Sequence, residues 1–216
     1  MPLSTLDPRC VLIALTLAGC GSGGDDTGGD APTDDTRPQG VDTTVAVFEE
    51  TYVYFAGDED NFRDVDVELT LPDSTSTYSQ ILGKFALSCP DGGCDHWDRY
   101  GTVGIVDADG VYVEIDRFVT AYRVGFEWTT DLTDLRPLLT GPTTFRVHID
   151  TWVGPGHSDG AGWLFDADLD YVGGPPPSPE AVAVYPVWPH QSWNAGLPDS
   201  PVEEQVVPMT IDGPSG

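Results

Sequence analysis

Apolar and polar residues alternate one by one along several stretches of this chain. Between residues 64 and 71 every second residue is apolar, from Val65 to Leu71, and the residues between them are charged or polar. The side chains of a β-strand point alternately to its two faces, so this period predicts a half-buried strand. The same alternation returns at residues 144–152 and 164–172.

Turn signals separate the predicted strands. Residues 104–106 and 111–115 flank Asp109 and Gly110, a pair typical of tight hairpin turns. Residues 131–139 look helical and are predicted to form a single turn that Gly141 ends. Many short strands between turns are typical of a β-sandwich or jelly roll.

The acidic residues and histidines do not favour a metal site. Asp166, Asp168 and Asp170 fall on one side of a predicted strand, which indicates a solvated face, with a metal site as the less favoured alternative. No Asp-x-Asp-x-Asp-Gly calcium loop followed by a glutamate occurs, and the four histidines have no metal-ligand spacing. We expect neither a metal nor a cofactor.

The N-terminus is typical of an exported bacterial protein. Arg9 precedes an apolar run at residues 11–15, which is too short for a membrane-spanning helix of about 20 apolar residues. Residues 17–20 read Leu-Ala-Gly-Cys, which resembles a lipobox and predicts a signal peptide over residues 1–19 and a lipid on Cys20. An ordinary cleaved signal with a chance cysteine is the alternative.

A flexible segment follows the predicted anchor. Residues 20–42 are rich in glycine and aspartate and contain no aromatic residue, so they are predicted to be a disordered tether. Gly21 differs from the aspartate that commonly signals retention in the inner membrane. We therefore expect a cell-envelope protein anchored in the membrane through Cys20, in the outer membrane or at the cell surface.

The charge of the chain limits its partners. Nine lysines and arginines face 36 aspartates and glutamates, which gives a net charge of −27. Nucleic acid and anionic lipid headgroups require a basic face, so we expect no nucleic-acid partner.

Two of the four cysteines are left for the folded part. Cys10 belongs to the predicted signal and Cys20 to the anchor, which leaves Cys89 and Cys94. In an exported chain this close pair predicts a small disulfide loop. A zinc site is the alternative, but no second cysteine pair and no nearby His-x-His accompany it.

The strand-like pattern breaks near the C-terminus. Residues 174–180 are rich in proline and predict a stiff extended linker. Residues 181–188 and 203–211 look like two more strands. Two strands do not make a domain, so either a domain is incomplete or these strands pack back on the first one.

Residues 89–100 carry the most specific signal, Cys-Pro-Asp-Gly-Gly-Cys-Asp-His-Trp-Asp-Arg-Tyr. This segment resembles the active-site motif of the peptide-N-glycosidase F family, in which a disulfide-closed loop leads into Asp-x-Trp-Asp-Arg-Tyr. The resemblance covers about residues 44–211 and is clearest again at residues 114–125, 150–152 and 171–173, with weaker similarity at 184–187.

The family has two eight-stranded antiparallel jelly rolls with the active site at the top of the groove between them. The resemblance implies that residues 43–173 form the first one, an all-β sandwich of about eight strands. It also implies that residues 181–216 are the first strands of an incomplete second jelly roll, which would be a further partner.

The resemblance also implies roles for five side chains. Asp98 corresponds to the carboxylate that activates water for attack on the glycosylated asparagine amide, and Arg99 would orient groups near it. Asp150 stands where the family has a glutamate that helps to bind the first sugars. Trp97 and Trp152 would line the groove. The structural alternatives are a simple Asp98–Arg99 surface pair, core positions for both tryptophans, and an exposed strand position for Asp150.

Three functions compete. The first is a hydrolase of the glycosylated-asparagine amide of N-glycoproteins, expected to be weak or inactive without a second domain. The second is a non-catalytic lipoprotein module that binds glycan or protein. The third is a copper monooxygenase, which the scattered histidines and the two methionines, Met1 and Met209, argue against.

Overall fold

The computed structural model describes residues 35–57 and 61–186. The predicted signal peptide, Cys20, most of the predicted tether and the predicted strand at residues 203–211 lie outside the described residues. The described strands are β1 (Thr43–Phe55), β2 (Asn61–Phe62), β3 (Asp64–Leu71), β4 (Tyr78–Ser88), β5 (Tyr100–Val106), β6 (Tyr112–Val119), β7 (Phe126–Asp131), β8 (Gly141–Ile149) and β9 (Trp163–Gly173).

The strands form two antiparallel sheets. One has the order β2-β1-β9-β4-β7 and the other the order β3-β8-β5-β6. Without the two-residue β2, this is the eight-stranded, two-sheet arrangement of a jelly roll. The predicted fold class, an all-β antiparallel jelly roll, is confirmed.

Sequence signals account for several of these elements. The alternation at residues 64–71 is strand β3, whose side chains alternate between exposed and partly buried. The hairpin around Asp109 and Gly110 joins β5 and β6, with Val106 opposite Tyr112. The predicted helical turn is a 3-10 helix at Thr133–Leu138.

The core lies between the two sheets and is rich in aromatic rings. Trp163, Phe165, Phe48 and Phe145 are buried side chains. The ring of Phe165 in one sheet lies 6.1 Å from that of Phe118 in the other. Burial of each such side chain stabilises the fold by roughly 1.5–3 kcal/mol.

The described chain enters and leaves at one end of the sandwich. The Arg37 guanidinium contacts Glu180 at 2.5 Å, and Glu180 also accepts a 3.3 Å hydrogen bond from Arg136. The Gly40 amide donates to the carbonyl of Thr77 at 2.8 Å. Residues 37–42, at the end of the predicted tether, therefore contact the domain.

The linker region also differs in part from expectation. Glu180, at the end of the predicted linker, is held by these two arginines. The predicted strand at residues 181–188 is not seen over residues 181–186, where only Tyr185 takes part in an isolated bridge.

Strand β5 lies inside its sheet and is covered on both faces. Gly101 and Gly104 leave space for the rings of Phe118 and Tyr112, which lie across the strand. The Tyr112 hydroxyl reaches Thr102 at 3.0 Å, and burial raises the pKa of Tyr112. Aromatic rings therefore pack closely against strand β5, which begins just after the segment that contains Asp98.

Substitution Gly104→Ala should destabilise this sheet. The added Cβ would lie 2.4 Å from the Tyr112 ring and 2.6 Å from the Val113 carbonyl oxygen, and the backbone oxygen cannot move away. We expect a loss of about 1–3 kcal/mol in the free energy of unfolding, measured by urea denaturation. Thr70→Ala, on the exposed face of β3, is the control and should change it by about 0.5 kcal/mol or less. Equal losses in the free energy of unfolding for the two substitutions would contradict the close packing of the Tyr112 ring against β5.

Candidate active site

The candidate site lies at the end of the sandwich opposite to the chain entry, here called the site end. Strands β4 and β8 end there, at Ser88 and Ile149, and strand β5 begins there, at Tyr100. The connection from β4 to β5 contains the motif that carried the sequence prediction.

A disulfide closes the first part of this connection. Cys89 and Cys94 are bonded, with their Cα atoms 4.4 Å apart, which confirms the predicted pair. The Gly93 carbonyl accepts a 2.8 Å hydrogen bond from Ala161, and Cys94 is buried. The loop is therefore fixed both by its bridge and by the segment that leads into β9.

Asp95 follows the disulfide and is completely buried. Its carboxylate accepts hydrogen bonds from Arg99 Nε and from the Thr151 hydroxyl, both at 2.7 Å. It also accepts one from the backbone amide of Trp97 at 3.0 Å. One buried carboxylate thus joins the motif segment to the chain beyond β8.

Arg99 therefore does not pair with Asp98 as a surface ion pair. Its Nε is bonded to Asp95, and its side chain is 19% exposed. Its amide donates to the Thr120 hydroxyl at 2.7 Å. The structural reason is that the Arg99 side chain points inward. Asp95 is buried beneath the loop, whereas Asp98 lies on the exposed side of the loop.

Trp97, Asp98 and Tyr122 form an exposed group at the site end. Trp97 is 52% exposed, so it is not a core aromatic, and its ring centroid lies 6.5 Å from that of Tyr122. The Tyr122 hydroxyl lies close to the Asp98 carboxylate, and its interaction with that carboxylate raises the pKa of Tyr122.

Asp150, Arg63 and Trp152 form a second group beside the first. Asp150 Oδ1 accepts a 2.8 Å hydrogen bond from Arg63 Nη1. The same guanidinium lies 4.6 Å from the Trp152 ring centroid and 5.3 Å from that of Phe55. Trp152 is 51% exposed and is not a core aromatic either. Asp150 lies just beyond β8, held by a 2.9 Å hydrogen bond from its amide to the Tyr100 carbonyl.

The structure thus brings the predicted side chains to one end of the sandwich. Asp98 precedes β5, and Asp150 follows β8, the neighbouring strand. The sequence analysis did not identify Asp95, Tyr122 or Arg63. Asp95 and Tyr122 lie in the segments that carried the resemblance, which was the available signal, whereas Arg63 lies in none of them.

The arrangement offers an exposed carboxylate with flat aromatic surfaces around it. A carboxylate of this kind can accept a proton from water or from a sugar hydroxyl. Within residues 35–57 and 61–186, no group of three or more histidine, cysteine, aspartate or glutamate side chains could hold a metal ion.

Substitution Asp95→Asn should destabilise the domain strongly. It leaves the mostly buried Arg99 guanidinium without its anion, which typically costs about 3–5 kcal/mol. Thr151→Val removes one hydrogen bond to the same carboxylate and should cost about 1 kcal/mol. Both values would be measured as free energies of unfolding in urea.

The matched control is Asp66→Asn. Asp66 pairs with Arg146 at 2.6 Å on a more exposed surface, where such a pair contributes about 1 kcal/mol or less. If Asp95→Asn lowered the free energy of unfolding by as little as the control does, the central role of Asp95 would be contradicted.

Comparisons with known proteins place this site in context. No family model matches the sequence. Peptide-N(4)-(N-acetyl-β-D-glucosaminyl)asparagine amidase F of Elizabethkingia miricola is 34% identical over 113 residues, which are 50% of this chain and 30% of that protein.

Solved structures give the same result for the fold. PNGase F, a glycosylasparaginase from Flavobacterium meningosepticum, has a TM-score of 0.55 and 29% identity, over 63% of this chain and 43% of that chain. Recombinant peptide:N-glycanase F has a TM-score of 0.53 and 29% identity, over 62% and 43% of the two chains. This chain therefore spans less than half the length of these relatives. The predicted resemblance is confirmed: in sequence and in fold, this chain is similar to the peptide-N-glycosidase F family over its N-terminal jelly roll.

Proposed function

We propose that the site end is one wall of the active site of an amidase that cleaves the bond between an N-linked glycan and its asparagine. The observation that carries this proposal is the exposed Asp98 carboxylate, flanked by Trp97 and Tyr122 and placed beside the Asp150 group. Its proposed substrates are N-glycoproteins, by analogy with the relatives.

Asp98 is the proposed general base. An amide is a poor electrophile, so water must be activated before it attacks. A positioned carboxylate that takes the proton from water typically contributes about 10²–10⁴ in rate. Tyr122 positions this carboxylate through its hydroxyl, and the Asp95–Arg99 pair fixes the backbone on both sides of it.

Asp150 and Trp152 are the proposed contacts to the first sugars. Asp150 is one methylene shorter than the glutamate of the family, so its hydrogen bond to a sugar hydroxyl would run through a water molecule. Arg63 holds Asp150 in place and lies over Trp152, whose ring offers an apolar surface to sugar C–H groups.

A second candidate function is glycan binding without catalysis. The half-exposed rings of Trp97, Tyr122 and Trp152 favour it, because a sugar can stack on them whether or not Asp98 activates water. The two functions differ in their dependence on the Asp98 charge.

We also propose that the protein is a lipoprotein of the cell envelope, anchored through Cys20. The lipobox-like end of the predicted signal peptide supports this proposal. Among the described residues, no helix has the length and apolar character that crossing a membrane requires.

Glycan release from a denatured N-glycoprotein tests the catalytic proposal. This chain alone should be folded yet release little or no glycan, because it supplies one wall of the groove and substrate positioning is worth about 7–11 kcal/mol of a barrier. Joining a second jelly roll should restore release, and Asp98→Asn should abolish it, while Asp109→Asn in the distant hairpin turn should not.

The outcomes separate the two functions. Restored release that survives Asp98→Asn would remove the catalytic assignment of Asp98. Glycan binding that persists in Asp98→Asn, with no release by any form, would establish the non-catalytic function. Strong release by this chain alone would show that one wall suffices.

Mass spectrometry of the membrane-extracted protein tests the anchor. The N-terminal peptide should begin at Cys20 and carry a diacylglyceryl group. Cys20→Ser should move the protein to the soluble fraction, whereas Cys10→Ser, inside the predicted signal, should not. A mature chain that begins elsewhere and lacks lipid would contradict the proposal.

A further inference from the structure

Apolar side chains are exposed at the end of β6 and in the turn after it. This turn adjoins the Asp98 segment, since the Thr120 amide donates a 2.8 Å hydrogen bond to the Arg99 carbonyl. Val119 is 62% exposed, Tyr122 56% and Val124 58%, and we call these three residues the β6-turn surface. Trp97, at 52% exposure, adjoins it through Tyr122. Exposed apolar side chains that cluster beside a candidate site are typical of a surface that binds something.

The backbone below this surface is held rigidly. Ala121 and Val124 form an isolated bridge, and Arg123 adopts a left-handed backbone with a φ of 61°. Its amide donates to the Asp95 carbonyl at 3.2 Å, and its own carbonyl oxygen lies 3.8 Å from the Cys89 sulfur. A non-glycine residue keeps such a φ only where its surroundings fix it. The β6-turn surface is therefore pre-organised, which lowers the entropic cost of binding.

The sheet order places Asp98 between two surfaces. In the order β3-β8-β5-β6, Asp98 precedes the inner strand β5. Asp150 and Trp152 follow β8, on one side of Asp98. The β6-turn surface lies on the other side, with Val119 as the last residue of β6 and Tyr122 and Val124 in the turn after it. The two surfaces are therefore separated by the candidate carboxylate.

The proposed reaction requires two separate binding surfaces on opposite sides of Asp98. The scissile amide has two substituents, a sugar on its nitrogen and an asparagine side chain on its carbonyl carbon, and they extend away from the attacked carbon in different directions. In the proposed function the sugar contacts Asp150 and Trp152. The asparagine and its chain must then pass over the opposite side of Asp98.

We propose that the β6-turn surface binds the polypeptide of the substrate next to the glycosylated asparagine. The inference rests on the proposed function and deepens it, because it assigns the peptide half of the substrate. Val119 and Val124 contact apolar side chains of an extended peptide. The exposed Arg123 guanidinium, on the same turn, donates to peptide carbonyl oxygens.

Nuclear magnetic resonance titration of the ¹⁵N-labelled chain tests this inference. Two probes are compared: asparagine carrying N,N′-diacetylchitobiose, and the same unit inside a blocked pentapeptide with apolar neighbours. Both should shift the amides of Trp97 and Trp152. Only the glycopeptide should also shift the amides of Val119 and Val124, and it should bind about tenfold more tightly because it buries additional apolar surface.

Matched double variants locate the effect. Val119→Ser with Val124→Ser should remove most of the tenfold gain and leave binding of the glycosylated asparagine unchanged. Val41→Ser with Val111→Ser, also at exposed valines but distant from the site, should keep the gain. Circular dichroism and the amide spectra of both variants establish that they are folded.

The remaining outcomes overturn the inference in distinguishable ways. Equal binding of the two probes, or peptide-dependent shifts elsewhere on the sandwich, would remove the β6-turn surface and leave the proposed function intact. Absence of shifts from either probe, both in this chain and in the form joined to a second jelly roll, would refute the proposed function and this inference together. Amides of residues 119–124 that become protected when a second jelly roll is joined, before substrate is added, would show a domain interface instead.

Discussion

The buried Asp95 carboxylate holds the site end together. A carboxylate removed from water is strongly destabilised unless it is paired and fully hydrogen-bonded. Arg99, Thr151 and the Trp97 amide satisfy it, while its backbone groups bond Gly162 and Arg123. These contacts reach four separate parts of the chain. The position of Asp98, three residues further on, follows from them.

The same pairing decides which carboxylate remains available for chemistry. Arg99 is bonded to Asp95 and Arg63 to Asp150, so these two guanidinium groups already have an anion. Asp98 lies close to the neutral hydroxyl of Tyr122. Of these three carboxylates, Asp95 is buried, Asp150 is partly buried and Asp98 is exposed. Asp98 is therefore the one that water reaches most freely.

The sequence predicts local features of this molecule better than contacts across the sandwich. The alternation in β3, the β5–β6 hairpin and the disulfide depend on neighbouring residues, and their patterns sufficed. Arg63 was missed because its contacts with Asp150 and Trp152 join positions nearly 90 residues apart, which no local pattern records. The partner of Arg99 was not identified either, because the loop turns its side chain inward to the buried Asp95. The contact between Arg37 and Glu180 was not foreseen either, because it spans 143 positions.

The described chain leaves the sandwich at the end opposite to the candidate site. Strand β9 begins at the site end and runs through eleven residues to Gly173, a distance of about 35 Å at roughly 3.3 Å per residue. Glu180 is then held at the far end by Arg37 and Arg136. The described chain therefore leaves the sandwich about one strand length away from Asp98. Any later segment that took part in the proposed site would have to run back along the sandwich to reach it.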